Sequence, residues 1–336
     1  MAAGHNQDGS VLFLSCDLQN STQFKQSHKD GWIATFLAFY TEFPSLLATE
    51  IADSCPSLRD RLSLWKAVGD EVIFSVRIQS ERECSDAVDA WLSTMLTFES
   101  QHLLRKTPMT LKGGAFLATV PSPDRRVAIP RTVQILDGRS QIDAEAMNEA
   151  TLNSSDESGN YAIDFVGPSI DTGFRVLKFA SRRYFVLTVE VAHLLFKHYS
   201  DQLMDGRRAY LVGTHSLKGV WGGEPYPVFA LARDLGEEPP AKLLASAFGN
   251  SGLITGEYSH CNPHDALKAI AAYRATDGWQ GAIHVPHAHE GAFQQHPDGT
   301  EVRTYLDNLV DTSEDRLDSD EDQGEENSVD EDLPRS

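Results

Sequence analysis

Two aspartates end short apolar runs that lie far apart in the chain. Asp17 follows the run Val11-Leu12-Phe13-Leu14, and Asp70 follows Gly69 between LSLWKAV and EVIFSV. Gly-Asp between two such runs predicts a tight hairpin, because glycine takes φ > 0 cheaply and Asp tolerates it. The hairpin would hold a carboxylate at its tip. Two acids at strand ends, brought together in a sheet, offer hard oxygen donors to Mg²⁺ or Mn²⁺, which complete their shells with water and phosphate oxygens. Lys66 lies in the first hairpin run, with the same facing as residues 64 and 68. A lysine inside an apolar strand is costly to bury without a partner, so it marks an edge or a ligand site. Arg175 sits one helical turn after Asp171 and shares its face. Gly167-Pro168 ahead of that helix leaves its first N–H groups open to an anion, and an ordinary intrahelical Asp–Arg pair is the alternative. Lys218, in Ser216-Leu217-Lys218-Gly219, offers a point charge suited to phosphate. His260, Cys261, His264, His284, His287 and His289 match none of the usual zinc spacings and read as loop histidines.

The elements that must position these residues follow from periodicity. Val11–Leu14 reads as a central strand, and residues 15–24 as a polar turn. A helix from Asp30, its N-cap, to Asp53 carries a stripe of Trp32, Phe36, Phe39, Phe43, Leu46, Leu47 and Ile51, with a kink or break expected at Pro44. After the hairpin, a second helix over Glu81–Leu104 repeats the stripe with Cys84, Ala87, Val88, Trp91, Leu92, Met95 and Leu96. Thr110–Val120 is a strand whose Gly113-Gly114 predicts a bulge or a close backbone approach. The order β, α, β, β, α, β is a ferredoxin-like plan, an α+β fold with helices on one face of an antiparallel or mixed sheet. Residues 121–160 read as an excursion with a short helix near Ile142–Ala150. Asp164–Ile170 is a turn into a third helix over Asp171–Ala180. A strand at Tyr184–Thr188, a helix at Glu190–Tyr199 and late strands at Ala209–Gly213, Ser216–Val220 and Tyr226–Leu231 follow. Glu237-Glu238-Pro239-Pro240 is the clearest boundary signal.

Composition narrows the function classes. The chain has 336 residues and a formal net charge of −20. Residues 311–336 hold 12 acids and 2 arginines, so half of that charge lies in a like-charge block expected to stay disordered. The remainder is mildly acidic, which argues against nucleic-acid binding through a basic surface. Four cysteines without CxxC spacing read as free thiols of a reducing cytoplasm. The start of the chain lacks the basic and apolar segments of a signal peptide, and no apolar run approaches the length needed to cross a membrane.

Taken together, four motifs are not anonymous. FLSCDLQNSTQF, KAVGDEVIF, DFVGPSIDTGFR and LKGVWGGEPYPVFAL occur in the order found in class III nucleotidyl cyclases, which the sequence resembles over about residues 10–232. The wording of GPSIDTGFR and the long excursion before it look closest to the Pycsar anti-phage pyrimidine cyclases. The resemblance implies a catalytic domain over residues 10–235, a flexible start at 1–9, a C-terminal extension at 236–310 and the acidic tail. It implies two divalent cations, Mn²⁺ or Mg²⁺, on Asp17 and Asp70 with help from the Leu18 carbonyl. Backbone N–H groups from Gln19 to Phe24 would cradle the β- and γ-phosphates. Lys66 and Asp164 occupy base-reading positions, Arg175 would stabilise charge on the α-phosphoryl group, and Lys218 would hold the terminal phosphates. A head-to-tail homodimer, with the metal acids from one subunit and the arginine from the other, is expected, as is a downstream effector gated by the product. Lys66 with Asp164 suggests adenine, whereas the overall resemblance suggests a pyrimidine, UTP before CTP. Two departures from the family pattern bear on this. Asn20 replaces a glycine and must reach the left-handed region. Asp171 replaces a ribose-orienting asparagine, and Asp171 and Asn20 together favour the rival reading of a degenerate nucleotide sensor.

Overall fold

The computed structural model describes residues 8–27, 31–104, 106–132, 141–154, 159–201, 209–233, 259–295 and 299–310. These divide into two compact units. The larger comprises residues 7–125 and 165–296. Its first strand, β1 (Gly9–Gln19), is followed by α1 (Ser21–Ser27), α2 (Trp32–Ser54), β2 (Leu62–Val68), β3 (Glu71–Arg77), α3 (Glu81–Phe98) and β4 (Thr110–Val120). After the smaller unit's excursion come α5 (Pro168–Val176), β7 (Tyr184–Leu187), α6 (Val189–Asp201), β8 (Ala209–Ser216), β9 (Pro225–Ala232), β10 (Ser259–His260) and α7 (Pro263–Arg274). The sheet order is β10-β8-β9-β7-β4-β1-β3-β2. Strands β4 and β7 pair in parallel, while β1 pairs antiparallel with both β3 and β4. The sheet is therefore mixed, and its β4-β1-β3-β2 part is the ferredoxin-like plan read from the sequence.

Alternation along β1 divides the apolar residues into two layers. Leu12, Leu14, Cys16 and Leu18 join the core formed with Phe39, Phe43 and Leu47 of α2, Trp91 and Met95 of α3, and Leu194 and Leu195 of α6. The stripes read along α2 and α3 are thus largely buried, with Trp32, Leu46 and Leu96 half-buried. Phe43 packs edge-on against Trp91 with ring centroids 5.1 Å apart, and the Trp91 Nε1–H donates to the Ser15 carbonyl at 3.3 Å. Helix α2 runs unbroken through Pro44, so the expected break is absent. Its expected N-cap, Asp30, lies outside the described residues. Val11 and Phe13 face the other way, where they meet Ile73, Phe116 and Ile170 of α5. Helix α5 lies on that second face. Gly113 and Gly114 are close approaches rather than a bulge, since the β1–β4 register runs through them without a shift. A Cβ on Gly113 would stand 2.1 Å from the Ser15 carbonyl oxygen.

The smaller unit holds residues 126–164 and the chain from residue 297. Strands β5 (Arg125–Pro130) and β6 (Tyr161–Val166) form a two-stranded sheet. Helix α4 (Gln141–Asn153) accompanies it, and Asn148 binds the backbone of Ala128 and Arg126 at 2.9 and 3.1 Å. Helix α8, residues 299–310, joins α4 through a 3.6 Å Arg303–Glu149 ion pair.

Several boundaries differ from the sequence reading. Asp17 lies within β1 rather than in a turn, because β1 is flanked on both sides and its pairing continues to Gln19. The polar stretch after it forms α1. Asp164 belongs to β6, and α5 begins at Pro168, so Asp171 lies inside its first turn. Residues 217–220 form a turn after β8, not a strand. The Glu237–Pro240 boundary and the acidic tail lie outside the described residues.

Candidate active site

Asp17 and Asp70 are brought together at one end of the sheet. Val68 pairs with Glu71, so Gly69 and Asp70 are the two residues of a tight turn, and Gly69 takes φ +65° as such a turn requires. The Leu18 N–H donates to the Asp70 carbonyl at 3.0 Å, which seats the hairpin tip beside the end of β1. The Tyr40 hydroxyl donates to the Gly69 carbonyl, and the Ser21 hydroxyl to Asp70 Oδ2. Asn20 has φ +69°, the left-handed conformation that its place in the motif calls for.

Cross-strand register places the charged residues in rows. Val68, Glu71, Asp17 and Lys112 follow one another across β2, β3, β1 and β4, and Lys66, Ile73, Ser15 and Gly114 form the next row on the same face, two residues along. Lys112 Nζ lies 3.3 Å from Asp17 Oδ2. The Ser15 hydroxyl donates to Glu71 Oε1 at 2.5 Å. Burial raises the Asp17 pKa; Lys112 opposes that rise and Asp70 adds to it. Burial likewise raises the Glu71 pKa, against the Ser15 hydrogen bond and with help from Asp17. Glu71, Lys112, Ser15 and Ser21 were not singled out from the sequence. Lys112 carried the same signal as Lys66, a lone lysine in an apolar strand.

The hairpin corrects one reading. A bulge between Leu64 and Lys66 pairs Leu64 with Phe74 but Lys66 with Ile73. Leu64 and Lys66 therefore face opposite sides of the sheet, and Lys66 shares the face of Asp17 and α5. The Trp65 ring also reaches that face, 4.6 Å from Phe13 and 6.0 Å from Phe174 by centroids, and Lys66 Nζ lies 4.4 Å over it.

Arg175, on α5, donates from Nη1 to the Asp171 carbonyl at 2.7 Å. Among the described residues it makes no ion pair with the Asp171 carboxylate, so the intrahelical pair is not formed. A Cβ on Gly219 would lie 3.7 Å from Arg175 Nη2, which sets the turn bearing exposed Lys218 beside the guanidinium. The first amides of α5 are not open to an anion, because the Ser169 N–H donates to Asp124 Oδ1 at 2.9 Å. The Phe24 N–H is also committed, to the Asn20 carbonyl at 3.0 Å, and its side chain is buried in the core. Phe24 is therefore not a phosphate donor, and any cradle there uses the amides of the first turn of α1, which lack intrahelical acceptors. Asp164 is half-buried on β6 of the smaller unit, whereas Lys66 belongs to the larger.

The acid pair suits a hard divalent cation. It consists of two partly desolvated carboxylates whose mutual repulsion a cation relieves. Among the described residues no group of three or more His, Cys, Asp or Glu side chains gathers as a ready ligand shell. An ion here would take two carboxylates and complete its shell with backbone, water and substrate oxygens. Near the C-terminal histidines it is the main chain that makes polar contacts: the backbone N–H groups of His284 and His289 donate to Ser10 Oγ and Glu81 Oε1 at 2.8 and 2.9 Å.

Neither a protein-family model nor a curated protein matches the chain. Among solved structures it is similar to the adenylyl cyclase CyaB from P. aeruginosa, at 10% identity over 67% of this chain and 94% of that one, with a TM-score of 0.45. It is also similar to the guanylate cyclase domain of RhGC from Catenaria anguillulae, solved with GTP, at 13% identity over 67% and 98% with a TM-score of 0.42. Adenylate cyclases from Trypanosoma brucei give 14% identity over 70% and 96% with a TM-score of 0.41. The likeness is one of fold.

Proposed function

We propose that the chain is a metal-dependent nucleotidyl cyclase that converts UTP to 3′,5′-cyclic UMP and pyrophosphate. The product would be a second messenger of anti-phage defence, read by an effector protein. One observation carries the reading: the 3.0 Å bond from the Leu18 N–H to the Asp70 carbonyl seats Asp70 beside Asp17, and Asp17 lies on the sheet face against which α5, the helix of Arg175, packs. Divalent cations at Asp17 and Asp70 would make the ribose 3′-hydroxyl a better nucleophile and neutralise charge on the leaving pyrophosphate. The chain's own groups do the rest. Arg175 directs guanidinium donors at the α-phosphoryl oxygens, where charge grows as the bond to the leaving group lengthens. Lys218 binds the terminal phosphates, and Lys66 contacts the base. In a head-to-tail homodimer, Arg175 serves the acids of the other subunit.

The choice of UTP rests on the resemblance of the motifs to pyrimidine cyclases. CTP, and then ATP, are the competing substrates. Asp171 favours a nucleotide sensor without turnover, whereas the left-handed φ of Asn20, +69°, is compatible with the catalytic reading. The test is to incubate purified protein with each nucleoside triphosphate and Mn²⁺ and identify the product by mass spectrometry. Cyclic UMP is expected. Cyclic AMP alone would refute the pyrimidine assignment, and nucleotide binding without pyrophosphate release would establish the sensor. Asp70→Ala and Arg175→Ala should each lower kcat by at least 100-fold while the fold persists, and mixing the two should restore activity through one intact site per dimer.

A further inference from the structure

We propose that Asp124 is a positioning residue for Arg175, acting by clamping the N-terminus of α5 to the end of β4. The proposal rests on the reading in which Arg175 stabilises charge on the α-phosphoryl group. Asp124 is fully buried, at 0% exposure. Its Oδ1 accepts the Ser169 N–H of α5 at 2.9 Å, and its Oδ2 accepts the Thr119 N–H of β4 at 3.1 Å. Its own N–H returns to the Thr119 carbonyl at 3.1 Å. One carboxylate therefore ties the first turn of α5 to the last residues of a central strand. Negative charge is favourable there, since the unsatisfied amides of a helix start carry partial positive charge. Burial raises the Asp124 pKa, and hydrogen bonds from Ser169, Thr119 and Ile170 oppose the rise.

The backbone around the clamp is built for it. Gly167 has φ +145°, and a Cβ there would stand 2.3 Å from Asp124 Oδ1 and 2.8 Å from its Cα. Only glycine lets the helix start approach so closely. Farther along α5, Gly173 rests on Phe116, where a Cβ would lie 2.3 Å from Cγ. Helix α5 is thus fixed at its start and in its middle, and Arg175 follows two residues after the second point. The helix has nine residues, and two points of attachment set its axis, so losing the first lets it pivot on Gly173 and moves Arg175. An error of about 1 Å in placing a catalytic group can cost about 100-fold in rate.

Three variants of the full chain test this: Asp124→Asn, which keeps the volume but turns an N–H₂ toward an N–H, Gly167→Ala, and Asp124→Glu. With UTP and Mn²⁺, the first two should lower kcat 10- to 100-fold and change KM by less than threefold. Circular dichroism reports whether each variant is folded. Mixing assigns the defect to one half of the shared site. Asp124→Asn should regain activity with Asp70→Ala and none with Arg175→Ala. Activity regained with Arg175→Ala instead, or an unchanged kcat, would overturn the proposal. Mixing Asp70→Ala with Arg175→Ala is the control, and its failure condemns the shared-site reading without touching Asp124. A readout independent of turnover is the rate at which phenylglyoxal modifies Arg175, followed by mass spectrometry with exposed Arg82 as the internal standard. Asp124→Asn should raise that rate severalfold and Asp124→Glu less. An unchanged rate means that Asp124 does not hold Arg175.

Discussion

Lys112 neutralises Asp17 from the neighbouring strand, and a metal ion would compete for the same carboxylate. Two unit charges about 4 Å apart interact by about 1 kcal/mol in water and about 4 kcal/mol at an effective dielectric of 20. The pair is part-exposed, at 27% and 30% for the two side chains, so the lower figure is nearer. Lys112→Met should therefore tighten Mn²⁺ binding about 5- to 10-fold in a titration followed by paramagnetic resonance. It should also lower the melting midpoint of the metal-free protein. Lys112 was visible in the sequence as an oddity, but its partner was not, because β1–β4 register is set by residues far from both. A second residue-scale prediction concerns His193. Its Nδ1 lies 3.1 Å from Arg274 Nη1 and its Nε2 lies 3.3 Å from Glu290 Oε2, an arrangement for the neutral ring. Burial, then Arg274 and Lys197, lower its pKa to about 3. A lowered histidine pKa means that the unfolded chain binds the extra proton between about 6.5 and 3. Stability is then present above that window and lost as pH falls through it. Between pH 7 and 5 the loss is about 2 kcal/mol, at about 1.4 kcal/mol per unit. Denaturant midpoints across that range should show it, and His193→Gln should flatten the slope.

At the scale of elements, the apolar stripes of α2 and α3 were legible because each helix buries one continuous face. The two central glycines of β4 were legible as close approaches for the same kind of reason, a missing side chain where backbone must come near. The bulge at Trp65 was not, since an added residue leaves the local pattern of apolar types intact and shows only in the pairing with β3. Its effect is large: it turns Lys66 onto the face of Asp17. The start of α5 was misplaced by three residues because Pro168 opens the helix, a position that suits proline. Its first amides look open in the sequence because their acceptor, Asp124, lies over forty residues earlier. Gly173 tests the seat of α5. Gly173→Ala would press a methyl into the Phe116 ring, and overpacking of that kind costs about 1–3 kcal/mol. The denaturant midpoint should fall accordingly, and kcat should fall with it as α5 is pushed off the sheet.

For the molecule as a whole, the larger unit takes in part of the extension, to His296. Ser10, Thr119 and Glu81 are fully buried, and each meets a backbone group of residues 282–290. The Trp279 indole N–H donates to Glu190 at 3.0 Å, and a Cβ on Gly281 would collide with the same carboxylate. Each of these bonds gives a polar group buried under the segment a partner that water would otherwise supply, and leaving such a group unmatched there would be costly. Residues 279–290 therefore belong to the fold of the larger unit, although weak periodicity hides that. The acidic tail lies outside the described residues, and what its sequence supplies is charge. The chain carries −20 in all, of which residues 311–336 contribute −10. A nucleoside triphosphate is itself strongly negative, so the tail's field opposes its approach while Lys66, Lys112, Arg175 and Lys218 act only near the site. Removing residues 311–336 should leave kcat unchanged and lower KM for the triphosphate severalfold at low ionic strength. The advantage should vanish in about 1 M salt, where the screening length falls to about 3 Å. A KM that does not respond to truncation at low salt would mean that the tail's charge is screened or paired before substrate arrives, and a fall in kcat would assign the tail a part in catalysis.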